Sequence, residues 1–100
     1  MLFMVIERFR NTDAQPIYAR LRESGRMMPK GLRYIDSWIE PNFDRVFQLM
    51  ECDDLTMFQQ WILQWRDLME FEIVPVVPSK DTIRVLEPLL ENSSAPAGDT

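Results

Sequence analysis

Four residues, Pro41-Asn42-Phe43-Asp44, separate two runs that each read as a β-strand, Leu32–Glu40 and Arg45–Glu51. So short a link cannot carry the chain back to start a parallel strand, so the two runs must form an antiparallel hairpin. The other segments are arranged about it. Leu2–Phe9 alternates Phe3/Val5/Glu7 with Met4/Ile6/Arg8, as a strand does. In the turn that follows, Thr12 and Gln15 resemble a capping box, and Pro16 is acceptable in a first helical turn. The predicted helix places Ile17, Leu21, Ser24 and Met28 on one stripe and ends at Pro29-Lys30-Gly31.

Beyond the hairpin, Asp53 or Asp54 is placed to cap a second helix, with Leu55, Phe58, Trp61, Ile62, Trp65 and Leu68 at helical spacing. Glu70–Val77 is a β-branched run whose Pro75 has no N–H to donate, which marks an edge strand. The order β-α-β-β-α-β, with right-handed crossovers, predicts an α+β ferredoxin-like sandwich. Its antiparallel sheet has the order 4-1-3-2, with both helices on one face. The expected organisation is one domain over residues 1–78, a short helix over 79–91 and a disordered tail over 92–100.

The chain carries Asp+Glu 16 against Lys+Arg 11, a net charge of -5, which argues against a phosphate backbone or an anionic membrane as partner. It has no histidine, so the commonest general base, haem ligand and zinc ligand are all missing. Its single cysteine, Cys52, allows no internal disulfide and suits a reducing compartment. The apolar N-terminus has no basic segment before it, and no run approaches the ~20 residues of a membrane span. A cytoplasmic protein without a cofactor is expected. No catalytic, metal or nucleotide motif stands out.

A two-layer sandwich leaves one sheet face open. Placing Trp38 opposite Val46 puts Ile35, Ser37, Ile39, Phe47 and Leu49 under the helices, with Met4, Ile6, Phe71 and Ile73. The open face then carries Phe3, Val5, Glu7, Tyr34, Asp36, Trp38, Val46, Gln48, Met50, Glu72, Val74 and Val76. A one-residue slip would exchange the sets. So much apolar surface on the open face calls for a partner, and a homodimer closing sheet on sheet is expected.

Several segments, Phe3-Met4-Val5-Ile6-Glu7, Gly25-Arg26, Gly31-Leu32-Arg33-Tyr34, Ser37-Trp38, Phe47-Gln48-Leu49-Met50-Glu51, Trp61 with Trp65 and Phe71-Glu72-Ile73-Val74-Pro75-Val76, resemble the bacterial DUF3303 family, a domain of unknown function. The resemblance covers residues 1–78 and implies a ferredoxin-like fold of the dimeric α/β-barrel kind, with no established activity. Broader dimeric-barrel relatives include monooxygenases acting on aromatic substrates, haem-degrading enzymes and stress-response proteins. The missing histidine disfavours the haem-binding versions.

The site candidates follow from the open face. Glu7 and Glu72, with Asp36 nearby, are the candidate acid–base groups, and Tyr34, Trp38, Gln48, Met50 and Phe3 are the candidate ligand-binding residues. The plainer reading pairs the acids with arginines such as Arg33 or Arg45 and treats the aromatics as dimer interface. Two functions are therefore carried forward. One is a binding or structural module with a small apolar ligand between its sheets. The other is a cofactor-free monooxygenase- or isomerase-like enzyme acting on a small aromatic or polyketide-like substrate.

Overall fold

The computed structural model describes residues 1–91, so the expected disordered tail over 92–100 lies outside the described residues. The elements are β1 (Leu2–Phe9), α1 (Gln15–Ser24), β2 (Arg33–Ile39), β3 (Arg45–Glu51), α2 (Thr56–Ile62), β4 (Met69–Val76) and α3 (Ser79–Leu90). They form one four-stranded antiparallel sheet in the order β2-β3-β1-β4, the expected order read from the other edge. β4 is an edge strand, as its Pro75 requires. No helix among the described residues is long and apolar enough to cross a membrane.

Both helices are shorter than their apolar stripes suggest. α1 stops at Ser24 because Gly25 takes a left-handed backbone (φ 68) and returns its N–H to the Leu21 carbonyl at 2.8 Å, so Met28 lies in the following loop. At the other end Asp13, not Thr12, meets the helix, its Oδ1 accepting the Gln15 N–H at 3.2 Å. α2 is entered through Asp54, whose Oδ1 accepts both the N–H and the hydroxyl of Thr56, at 2.9 and 2.7 Å. After Ile62 the chain continues in turns as far as Leu68, and Arg20 ties α1 to them through Asp67 at 2.7 Å and the Gln64 carbonyl at 2.9 Å.

On β1 and β3 the helices cover the face opposite to the one expected, whereas Phe71 and Ile73 of β4 lie on the covered face as expected. Phe3, Val5, Phe9, Met50 and Met69 are buried together with Ile17 of α1, Phe58 and Trp61 of α2, and Trp65. Val5 lies opposite Gln48 and Ile73, and Glu7 opposite Val46 and Phe71, so these residues share the covered face. Met4, Ile6, Phe47 and Leu49, expected in the core, point the other way. The hairpin register explains part of the difference. Trp38 faces Phe47, not Val46, and a bulge between Tyr34 and Asp36 inserts Ile35 as an extra residue, 48% exposed. Beyond the bulge Ser37 and Ile39 lie on the covered face, while Asp36 and Trp38 lie on the open one.

Candidate functional site

β1 carries Phe3, Val5, Glu7 and Phe9 on its covered side, a stripe in which one carboxylate interrupts three apolar residues. Glu7 is 2% exposed, and a carboxyl so placed must find partners or give up its charge. Across the sheet, on β3, the buried Gln48 donates its amide N–H to Glu7 Oε1. Gln48 Oε1 in turn accepts the Nε–H of Arg26 at 3.4 Å, which fixes which way the amide faces. Burial pushes the Glu7 carboxyl up to about 7, against the Gln48 hydrogen bond and the Arg26 charge, which both pull it down.

Arg26 comes from the loop between α1 and β2 and is held from several sides. Gly25 (φ 68) before it and Met27 (φ 56) after it both have left-handed backbone. Its carbonyl accepts the indole N–H groups of both Trp61 and Trp65, at 2.8 and 3.0 Å. Its guanidinium lies over the Tyr34 ring, 3.8 Å from the centroid, and the Tyr34 hydroxyl pairs with Ser37 at 2.7 Å across the bulge. Among the described residues Arg26 has no carboxylate within ion-pair distance.

These groups border a cavity of about 120 Å³ between the sheet and the helices. Glu7, Gln48, Ser37 and Arg26 are its polar lining, Trp61 and Trp65 form an aromatic wall, and Val46, Phe9, Ile17, Leu21 and Met69 its apolar lining. Tyr18 of α1, 43% exposed, also borders it, and its hydroxyl is held above its ordinary range by burial first and by the Glu7 charge second. A closed cavity of roughly 150 Å³ takes a benzene-sized guest. This one is somewhat smaller but open on one side, so it suits a compact molecule whose ring enters and whose far end reaches solvent.

The candidate residues divide between the two faces. Glu7 and Gln48 meet in the cavity, and Tyr34 supports it through Arg26. Glu72 lies opposite Ile6 on the open face, so the expected Glu7–Glu72 pair does not form. Asp36 is exposed and accepts its neighbour Ser37's N–H at 2.8 Å. Trp38 stands on the open face, 52% exposed. Met50 is fully buried core, and Phe3 packs edge-on against Phe58 with ring centroids 5.1 Å apart. The arginines proposed to pair the acids have other partners, Arg33 with Glu51 and Arg45 with Glu40. Cys52 is buried, its Sγ donating to the Asp54 carbonyl at 2.8 Å.

Arg26, Tyr18, Ser37 and the two indoles were not among the expected site residues. One signal did point towards them: Glu7 and Gln48 are the polar members of otherwise apolar stripes on adjacent strands.

The family model described as Domain of unknown function (DUF3303) matches residues 1–90, and so includes α3, beyond the stretch of the sequence resemblance. No curated protein and no solved structure gives a match.

Proposed function

The chain belongs to the DUF3303 family, whose description assigns no function, and from the cavity we propose that it is a small-molecule binding module. In this reading the ligand lies between the sheet and the helices, not between two sheets. It is compact and largely apolar, with its ring or chain against Trp61 and Trp65 and one polar group at Glu7. The observation that carries the reading is Glu7 itself. A carboxyl 2% exposed, lining the cavity with one oxygen held by Gln48 and no cation within ion-pair distance among the described residues, is costly to keep in a purely structural role.

A second reading rests on the same group. A carboxyl poised at about 7 can take or give a proton near neutral pH, which is what a cofactor-free isomerase- or monooxygenase-like enzyme on a small aromatic substrate would need.

The open face supports a homodimer, with sheet closing on sheet in a dimeric barrel. Met4, Ile6, Phe47, Leu49 and Val74 form its apolar centre, all half-buried and outside the core cluster that the helices cover. An eight-residue strand spans about 26 Å and four strands about 19 Å, so two such faces remove roughly 1,000 Å² from water. That reaches the lower bound for a specific interface. A cytoplasmic location fits the one buried thiol.

Native mass spectrometry of mildly purified protein tests both statements. A mass twice the 11.9 kDa chain, with a further small mass retained, is expected. Val46→Phe, which fills the cavity, should lose the added mass and keep the dimer. Ile6→Lys should do the reverse. A monomeric wild type would sink the dimer. A clean wild-type spectrum, together with no saturable binding from a panel of compact aromatic acids, alcohols and amines, would sink the binding module.

A further inference from the structure

Arg26 narrows the chemistry of the ligand, and the argument rests on the cavity being a binding site. We infer that the cavity takes a compact organic acid, its carboxylate held by the Arg26 guanidinium with the Glu7 carboxyl hydrogen-bonded beside it. Much local structure is committed to placing this one side chain. Left-handed residues flank it, two indole N–H groups hold its carbonyl, and a tyrosine ring supports its guanidinium. Yet among the described residues only Nε has an acceptor, a long one at 3.4 Å, and the two terminal nitrogens of the fork have none. A planar, permanently charged fork bordering a half-open cavity is an arrangement that binds carboxylates two-pronged.

The objection is the second charge. Among the described residues Glu7 is the one acid lining the cavity, and as a carboxylate it would repel an anionic guest. Its burial already favours the neutral acid, which donates a hydrogen bond to a guest carboxylate where an ionised neighbour could not. The other groups facing it do not reverse this. Arg26 supplies the positive charge from the α1–β2 loop, and Tyr18 supplies a neutral hydroxyl from α1. Ser37 of β2, Gln48 of β3, Phe71 of β4 and the indoles of Trp61 and Trp65 carry no charge. Binding of the anion is therefore coupled to a proton on Glu7.

Benzoate, benzyl alcohol and benzylamine, alike in ring size and different in charge, form the test. Each is titrated at pH 6 into the full chain carrying Trp38→Phe, so that emission reports only Trp61 and Trp65. Benzoate is expected to bind about tenfold or more tighter than the alcohol, the increment of a charge-assisted pair. Arg26→Gln should abolish that difference and leave alcohol binding in place. The wild-type chain, followed by calorimetry, needs no variant. Its benzoate affinity should fall above pH 7 by up to about tenfold per unit, as the required proton becomes harder to supply. Benzylamine binding best, or benzoate and alcohol binding equally, would overturn the organic-acid assignment and leave the cavity a binding site. Binding by none of the three would overturn both.

Discussion

Glu7 is where the energetic cost of the design is concentrated. Its carboxyl is raised from 4.5 to about 7 because burial penalises the charge, so the folded protein holds a proton that the unfolded chain releases. Between these two values stability must fall as pH rises, and above about 7 the full penalty is present. At roughly 1.4 kcal/mol per unit this is on the order of 3 kcal/mol. Glu40, Asp54 and Asp67 are held below their ordinary range by hydrogen bonds from Arg45, Thr56 and Arg20, so their contribution has the opposite sign and is lost only in more acidic solution. Glu7→Gln keeps the shape and removes the charge. Urea denaturation at pH 4.5 and pH 8 is expected to give nearly equal stabilities at the lower value and a variant more stable by up to about 3 kcal/mol at the higher. A variant less stable at pH 8 would show that the ionised carboxylate is stabilising. Glu7 could be picked out from the sequence as a lone acid on an apolar stripe. The cation near it could not, because Arg26 reaches Gln48, the hydrogen-bond partner of Glu7, from a loop in an exposed-looking run.

The elements themselves were legible, since each has its own periodicity and its own stop signal. Strand order followed from the short hairpin and the alternation of elements. The covered face was legible on β4 but not on the two central strands, β1 and β3, for a physical reason. Met4, Ile6, Phe47 and Leu49 on one face are as apolar as Phe3, Val5, Val46 and Met50 on the other, so hydrophobicity does not say which face the helices cover. Polarity pointed the wrong way, because Glu7 and Gln48 look like solvent-facing residues until their mutual hydrogen bond is seen. The β2 bulge added a further residue that no pattern marks. α3 is a separate case. It is an amphipathic helix with none of its residues buried, Val85 and Leu89 being 77% and 73% exposed. Ending the chain after Pro78 is therefore expected to change unfolding stability by no more than about 1 kcal/mol. A larger loss would show that α3 supports the sandwich.

At the scale of the whole molecule, one sheet serves two purposes. Its covered face holds a carboxyl and an amide, chained to a loop guanidinium around a small cavity, and its open face carries the apolar area proposed for a second copy. The three tryptophans separate these purposes, since Trp61 and Trp65 wall the cavity while Trp38 stands on the opposite face. Their indole N–H resonances give three resolved reporters in one spectrum. A ¹⁵N-correlated NMR titration with benzoate at pH 6, run at fixed protein concentration, is therefore the most direct measurement. The binding-module account predicts that the Trp61 and Trp65 indole signals move together and saturate while the Trp38 signal stays in place. Movement confined to Trp38, or saturation of all three alike, would place the ligand at the open face and contradict it.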